Sequence, residues 1–278
     1  MAPTKNRFLD FVTKKLTGKG TSYVVKHLST KRFRGSESSS FYDEAYFENG
    51  TKSNYGRYDS KVQILFPPHR ERSELNDRAQ YTVQLLGIKS MLDIGCGKGF
   101  SVKAFRRCGV AAYGVDISEY AIQNCPKEVR DYVFQGDICD LSYFKDAQFD
   151  LVAALNVMEH IAVPDLYTAI EEAIRVSKCY LYLYVKYGAK RDNAFPTVIA
   201  SDPSHVSIYP KEWWKNEFEG RDLKTVLEWT HAYADGTEGT AFYFTKQIHL
   251  WERTREISTN YHYLLGGPSI GSVVLSNQ

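Results

Sequence analysis

Short apolar runs alternate with segments of helical periodicity through the middle of the chain. The runs that predict strands cover residues 91–94, 110–115, 132–134, 149–155 and 179–185. Between them the pattern predicts helices at 101–108, at about 118–124 and after Pro164. Strands that alternate with helices over short loops predict a mostly parallel sheet with helices on both faces.

The segments before this core differ from it in composition. Residues 1–34 hold nine Lys or Arg and one acid, a net charge of +8; since the whole chain is +2, the remainder is −6. Residues 35–40 are rich in Gly and Ser and predict a linker, residues 41–60 are dense in aromatic side chains, and a helix is predicted at about 71–86.

We therefore divide the chain into three parts. A basic extension and linker covers 1–40, an aromatic cap and helix covers 41–89, and the core covers 90–278. Within the core, the loop at about 186–210 is long enough to form a substrate lid.

The basic segment has two interpretations. Its charge suits contact with nucleic acid or with an anionic membrane surface, and Phe8, Val12 and Leu16 share one helical face, as in a helix that lies on a membrane. The alternative, which we favour, is a short helix docked on its own mildly acidic domain.

Composition excludes several classes of protein. With 43% hydrophobic residues, the chain has enough apolar side chains for a packed core. No run approaches the roughly 18–20 apolar residues that span a bilayer, and we expect no signal peptide.

The five cysteines form no CxxC pair, so neither a disulfide framework nor a thiolate zinc site is indicated. These features predict a cytoplasmic protein.

A glycine-rich loop follows the first predicted strand, where residues 93–99 read DIGCGKG. Glycines at alternate positions allow a sharp turn and let a ligand approach main-chain N–H groups at a helix start. The spacing differs from that of dinucleotide-binding loops and of phosphate-binding P-loops. Asp93 precedes the first glycine by two residues, and its charge suits a ligand with a positive group better than a pyrophosphate.

Polar side chains also follow the next three predicted strands. Asp116 ends the second strand, where a carboxylate can accept hydrogen bonds from both hydroxyls of a ribose. Asp137 follows the third strand and can accept from an exocyclic amine, while Ile138 can cover a flat ring. Asn156 follows the fourth strand. Because ligands bind at the carboxyl ends of parallel strands, we expect these residues to share one site.

On these residues the chain resembles the class I S-adenosylmethionine-dependent methyltransferases. Residues 92–99, 114–116, 136–137 and 149–160 resemble the first four motifs of the family. The resemblance implies an α/β, Rossmann-like, doubly wound sheet of seven strands, the last antiparallel. It places the sixth and seventh strands at 223–229 and 241–249, and it makes residues 41–60 an aromatic cap over the cofactor.

The resemblance also implies S-adenosylmethionine as the cofactor and gives single residues a role. Asp93 and the glycines would hold the methionine end, and Asp116 the ribose. Asp137 and Ile138 would hold the adenine, and Asn156 would lie near the reacting methyl group. The implied cofactor-binding set is Asp93, Gly95, Cys96, Gly97, Gly99, Asp116, Ile117, Asp137, Ile138 and Asn156.

The sequence of the fourth motif excludes some classes of methyl acceptor. It lacks the Asn-Pro-Pro-aromatic sequence of enzymes that methylate amino groups of adenine or glutamine, and no Cys follows a Pro as in cytosine C5 enzymes. The pair Glu159-His160 is common in family members that act on small molecules. We therefore expect O-methylation of a small molecule, such as a sugar or a secondary metabolite.

A hydroxyl acceptor loses a proton, and His is the usual base near neutral pH. His160 follows the fourth strand, and His205 lies in the predicted lid. Each also has a structural alternative, since His160 could cap a helix or line the pocket and His205 could form a hydrogen bond with the backbone.

The candidates for contact with the acceptor are aromatic: Tyr46, Tyr55, Tyr58 and Trp213. Cofactor cover is the alternative for the tyrosines, and core packing is the alternative for the tryptophan.

Two other functions stay open. One is a nucleic-acid methyltransferase that uses the basic N-terminus as a clamp, although the acidic remainder does not favour it. The other is a binding module that kept the fold without the chemistry. No metal site is expected, because His160 and His205 could meet but the spacing implies no third ligand.

Overall fold

The computed structural model describes residues 39–48, 73–188, 202, 204–232, 237–254 and 273–274. Most of the predicted basic extension lies outside these residues, as do Tyr55, Tyr58 and much of the predicted lid.

A mixed sheet organises the described residues. Its strands are β1 (Ser90–Ile94), β2 (Ala111–Asp116), β3 (Val133–Gln135), β4 (Phe149–Leu155), β5 (Ser177–Gly188), β6 (Lys224–Ala232), β7 (Thr237–Thr245) and β8 (Val273–Val274). Their order across the sheet is β3-β2-β1-β4-β5-β7-β6-β8. Strands β1 to β5 pair in parallel, and β7 runs antiparallel to both β5 and β6. The expected seven-stranded α/β sheet is confirmed, and the two-residue β8 adds a short edge.

The expected bounds of the seventh strand were wrong. The strand ends at Thr245 rather than near 249, and residues 248–254 are helical. Pairing with β6 fixes this register, since Ala232 lies opposite Glu238 and Thr225 opposite Phe244. The apolar residues beyond the strand pack onto the sheet from a helix instead.

Alternation along β5 shows how the sheet divides the core. Leu181, Leu183 and Val185 face one hydrophobic cluster, and Tyr180, Tyr182 and Tyr184 face the other. Successive side chains of a strand point to opposite faces, so a run that is apolar throughout is buried on both sides. The high tyrosine content is thus partly a property of one core layer.

Helices cover both faces of this sheet. In addition to the helical residues 248–254, they include α1 (Glu44–Phe47), α2 (Ser73–Leu86), α3 (Phe100–Arg107), α4 (Glu119–Gln123), α5 (Asp165–Val176) and α6 (Lys211–Glu219). Helices α2 and α3 contribute to the tyrosine-side cluster, and α5 and α6 contribute to the opposite one. Within the described part of the chain, no helix is both long and apolar enough to cross a membrane.

The short helix α1 joins the aromatic segment to the core. The carboxylate of Asp43 accepts a hydrogen bond from the N–H of Tyr46 at 3.1 Å and so caps the helix start. Tyr46 and Phe47 are buried against Ala121 of α4, and the ring of Phe47 stacks on that of Tyr120 with centroids 6.1 Å apart. This packing holds the described part of the cap over the end of β2.

Candidate functional site

A cavity of about 230 Å³ opens at the carboxyl ends of β1, β2 and β4. Its described lining is Tyr42, Tyr46, Phe47, Leu75, Asp93, Gly95, Cys96, Gly97, Lys98, Phe100, Ser101, Asp116, Ile117, Leu155, Asn156 and Val157. Seven of the ten expected cofactor-binding residues are in this set, together with Tyr46 of the cap. The residues that stand at separate strand ends in the sequence therefore meet in one place.

The loop after β1 forms the floor of the cavity. The N–H groups of Gly95 and Cys96 both donate to the carbonyl oxygen of Val115, at 2.7 and 3.1 Å, which ties the loop to β2. The φ angles of Gly95, Gly97 and Gly99 are 72°, 53° and 76°. Residues with a β-carbon rarely adopt such angles. The glycines thus allow the chain to turn sharply from β1 into α3.

Asp116 organises this loop from the end of β2. One carboxylate oxygen accepts the N–H of Gly97 at 2.7 Å, and the other accepts the N–H of Ser118 at 2.8 Å. Burial raises the pKa of Asp116 to about 6, and the two backbone hydrogen bonds oppose that rise. Each oxygen keeps a second lone pair. The side chain is therefore fixed in place and can still accept hydrogen bonds from a ligand.

Asp93 lies at the end of β1 and is 2% exposed. Its Oδ1 has no hydrogen-bond partner among the described residues. Burial raises the pKa of Asp93 to about 7; a hydrogen bond from Ser101 lowers it and the nearby charge of Asp116 raises it further. A ligand with a positive group or a strong hydrogen-bond donor would satisfy this oxygen and favour the ionised form.

Asn156 takes an unusual conformation where β4 ends. Its φ is 53°, a region that few residues other than glycine adopt and in which Asn is enriched. Its N–H donates to the carbonyl oxygen of Tyr184 at 2.8 Å. Such conformations cluster at functional sites. The position of Asn156 on the cavity wall agrees with that tendency.

The cap forms one wall of the cavity. Tyr42, Tyr46 and Phe47 all line it, and Lys98 of the glycine-rich loop pairs with Glu48 just after α1. The cap is thus attached both by aromatic packing and by an ion pair to the loop beneath it.

Three expected cofactor-binding residues are not among the lining residues. Gly99 stands at the start of α3. The carboxylate of Asp137 accepts the N–H of Cys139 at 2.8 Å, and Ile138 is 7% exposed and belongs to the core. The roles of Asp137 and Ile138 toward an adenine ring stay predictions.

The two candidate bases lie side by side. The ring centroids of His160 and His205 are 4.5 Å apart, and Nδ1 of His160 lies 2.8 Å from Oγ of Ser204. That hydroxyl donates to Oδ1 of Asp202 at 2.6 Å, and Oδ2 of Asp202 accepts from the hydroxyl of Tyr46 at 3.3 Å. A chain of hydrogen bonds therefore links the cap to His160, although neither histidine lines the cavity.

Both histidines favour the neutral form. Burial lowers the pKa of His160 well below its usual value, and the neighbouring His205 lowers it further, while Ser204 opposes the shift. Burial also lowers the pKa of His205, with Asp202 opposing the shift and Lys186 adding to it.

The structure adds Glu159 to this pair, a residue to which sequence reasoning gave no role of its own. Glu159 is fully buried, and neither carboxylate oxygen has a hydrogen-bond partner among the described residues. Burial raises its pKa to about 8, which nearby backbone N–H groups and Lys186 only partly oppose. Its place next to His160 was visible in the sequence, but its burial was not.

Trp213 does not reach the cavity. Its ring stacks on Tyr209 with centroids 3.8 Å apart, and both pack against the core on the α5 and α6 side. Its expected contact with an acceptor stays a prediction, and the packing alternative accounts for its observed position.

Comparison with known proteins gives a consistent picture. Residues 92–180 match a family described as a methyltransferase domain. The chain is 29% identical over 134 residues to the ubiquinone biosynthesis O-methyltransferase of Alkalilimnicola ehrlichii, covering 44% of this chain and 53% of that protein. It is 28% identical over 138 residues to the 27-O-demethylrifamycin SV methyltransferase of Amycolatopsis mediterranei, covering 46% and 47%. The chain spans about half the length of the curated relatives it matches.

A solved structure extends the likeness in fold. The magnesium protoporphyrin IX methyltransferase of Synechocystis, determined with bound SAH, aligns with a TM-score of 0.55 and 15% identity. The alignment covers 75% of this chain and 97% of that one. At this level of identity the likeness shows the fold alone, because one fold can support many different chemistries.

Proposed function

We propose that residues 92–180, which match a methyltransferase domain family, form a class I S-adenosylmethionine-dependent methyltransferase domain, and that the protein transfers a methyl group from S-adenosylmethionine to a hydroxyl oxygen of a small molecule. The proposal rests on one observation: Asp93 and Asp116 line the same cavity together with the glycine-rich loop.

The residues of this cavity fit the cofactor by their chemistry. The unpartnered Oδ1 of buried Asp93 suits the ammonium group of the methionine end, whose charge would offset the unfavourable burial of a carboxylate. The fixed carboxylate of Asp116 suits the ribose hydroxyls. The cap side chains Tyr42 and Phe47 supply apolar surface and exclude water from the same space.

When bound, the sulfonium group of S-adenosylmethionine supplies an already reactive methyl group. The protein's main task is then to align the acceptor oxygen with the methyl carbon and the sulfur. Asn156 and Val157 lie on the cavity wall where β4 ends, and we assign this wall to the methyl-transfer side. The cap would close the opposite side.

A small-molecule hydroxyl as acceptor is supported by the names of the relatives. One is a ubiquinone biosynthesis O-methyltransferase, and another is a 27-O-demethylrifamycin SV methyltransferase. A histidine base, His160 or His205, stays part of the proposal as a prediction. Its test is the pair of single variants His160→Ala and His205→Ala, because full turnover in both would exclude a histidine base.

Calorimetric titration with S-adenosylmethionine and S-adenosylhomocysteine tests the cofactor. We expect binding in the micromolar range or tighter; no binding to either would overturn the proposal.

The acceptor is tested by a second experiment, in which purified protein and methyl-labelled S-adenosylmethionine are incubated separately with phenols, sugars and RNA. Label in a phenol or a sugar supports the proposal. Label in RNA alone, with an affinity that falls steeply as salt rises, would identify a nucleic-acid methyltransferase instead.

A further inference from the structure

Three side chains beside the cofactor cavity are arranged as metal ligands. Glu159, His160 and His205 each offer one ligand atom, and these atoms lie within 4.8 Å of one another. Two histidines and one carboxylate form a ligand set that suits Zn²⁺, Mn²⁺, Fe²⁺ and Co²⁺. Spacing along the chain indicated no third ligand for the two histidines, and Glu159 now supplies it.

Burial without partners points independently to a bound cation. Both carboxylate oxygens of Glu159 and Nδ1 of His205 are buried and lack hydrogen-bond partners among the described residues, since the backbone N–H groups of Glu159 and Lys186 lie near the carboxylate without reaching hydrogen-bond geometry. Buried polar groups are nearly always hydrogen-bonded or bound to an ion, because leaving them unpartnered is unfavourable. Glu159 and His205 each offer one ligand atom within 4.8 Å of the other, so one cation between them would give each residue a partner.

The hydrogen bonds of His160 fit a role as a ligand. The hydroxyl of Ser204 donates its proton to Asp202, so the same hydroxyl can only accept from Nδ1 of His160. The proton of the neutral ring is therefore on Nδ1, and the lone pair is on Nε2. Metal-binding histidines are commonly held in this way, with the non-binding ring nitrogen donating to a partner that fixes the ring.

Asp202 supports both rings. It orients His160 through Ser204, and its Oδ2 lies 3.9 Å from Nε2 of His205, whose Nδ1 is the unpartnered atom. The charge of Asp202 favours a cation at this place, while the ammonium group of Lys186, which also acts on Glu159 and His205, opposes it. A cation bound to Glu159 would displace its proton, so that two carboxylates, Glu159 and Asp202, would then face the cation and the one ammonium group.

The cluster also lies next to the cavity wall that we assign to the methyl-transfer side. Glu159 and His160 follow Asn156 and Val157 of the cavity wall, and the ring of Tyr42, another lining residue, is 6.2 Å from that of His160. Three protein ligands leave coordination positions for a further oxygen.

We propose that Glu159, His160 and His205 bind one divalent transition-metal ion, Zn²⁺ or Mn²⁺ by class, as an open site next to the cofactor cavity. The role of the ion in catalysis rests on the proposed function. An acceptor hydroxyl bound to it would lose its proton to water more readily. The oxygen–carbon bond would then form as the sulfur–carbon bond breaks, and sulfur would keep the electron pair.

The binding proposal is tested with Co²⁺, whose visible absorption reports its ligands. The full chain is treated with chelator, freed of it and titrated with Co²⁺ alone. We expect one equivalent to bind, and we expect Glu159→Gln or His205→Gln to weaken binding at least about 100-fold, since loss of a supporting residue alone typically weakens it 10–100-fold. Ser204→Ala, which removes the hydroxyl between His160 and Asp202 but no ligand, should weaken it about tenfold.

His249→Gln is the matched control, because His249 is exposed and distant in sequence from the cluster. It should bind Co²⁺ as the unaltered protein does. Absence of specific Co²⁺ binding, or equal binding in all variants, would overturn the metal site. S-adenosylhomocysteine binding measured on the same samples reports correct folding and separates this failure from failure of the proposed function. Full turnover after chelator treatment, combined with loss of turnover in His205→Gln, would overturn the catalytic role and return the histidines to the role of base.

Discussion

Gly95 and Val157 are in direct contact across the floor of the cavity. A β-carbon built on Gly95 would lie 2.3 Å from Cγ2 of Val157 and 2.6 Å from its Cβ. No side chain fits in this space without displacing the loop after β1 or the loop after β4. Both loops line the cavity, so this contact fixes their separation.

We expect Gly95→Ala to be strongly destabilising and to abolish cofactor binding. The substitution adds the strain of a φ of 72° to a clash with Val157. The strain alone amounts to about 1–2 kcal/mol. Denaturant unfolding and titration with S-adenosylhomocysteine measure the two effects.

Gly109→Ala is the control for this variant. Gly109 has a φ of 80°, but a β-carbon there would meet no atom within 4 Å. It should therefore show the strain without the clash and keep cofactor binding. Equal loss of stability in the two alanine variants would show that the contact with Val157 does not matter.

Asp116→Ala should weaken cofactor binding strongly. It removes the acceptor that we propose for the ribose and leaves the N–H groups of Gly97 and Ser118 without their partner. Each buried group that loses its partner costs about 1–3 kcal/mol, which corresponds to roughly 5–150-fold in affinity if the loss falls on the bound state. Asp116→Asn keeps one acceptor oxygen and should be affected less. Unchanged affinity in folded Asp116→Ala, measured by calorimetry, would contradict the assignment.

Much of this site could be predicted because it depends on local sequence signals. The strand ends at Asp93, Asp116 and Asn156 were recognisable from apolar runs, and parallel pairing brings such ends together. The glycine-rich loop was recognisable for the same reason, because its positive φ angles favour glycine and the glycines can be seen in the sequence.

What could not be predicted depends on burial and on contacts between distant segments. Nothing in the order of residues indicates that Glu159 loses all contact with water, or that Asp202 meets Tyr46 across 156 positions of sequence. The end of the seventh strand was misplaced because the hairpin partner, rather than the strand's own apolar pattern, sets its register.

Cofactor affinity should depend on pH through Asp93. The carboxylate form is the one that attracts an ammonium group, and the pKa of Asp93 in the ligand-free protein is about 7. We therefore expect S-adenosylhomocysteine to bind about tenfold more weakly at pH 6 than at pH 8, because the ionised fraction falls by that factor. Asp93→Asn should bind weakly at both values. A pH dependence of the same size in Asp93→Asn would assign it to another group.

The same residue should limit the stability of the ligand-free protein. The pKa of Asp93 in the folded state is above its usual value of 3.8, so protonation favours folding; this stabilisation is complete below about pH 3.8 and is lost progressively as the pH rises to about 7. Asp93→Asn should therefore raise the melting temperature at pH 8, by roughly 2–4 °C for each kcal/mol recovered, and raise it clearly less at pH 5. A lower melting temperature at pH 8 would show that the buried charge is compensated in the ligand-free protein.

The hydroxyl of Tyr46 should stabilise the cap. It donates to Oδ2 of Asp202 at 3.3 Å within a buried site, and because this is long for an O–H···O hydrogen bond we expect a contribution of about 1 kcal/mol. Tyr46→Phe should lower the melting temperature and weaken binding of S-adenosylhomocysteine, since Tyr46 also lines the cavity. Tyr143→Phe is the matched control, because the buried hydroxyl of Tyr143 has no hydrogen-bond partner in the described part of the chain and its removal should be neutral or stabilising. If the two phenylalanine variants melt at the same temperature, the link between Tyr46 and Asp202 contributes nothing to holding the cap.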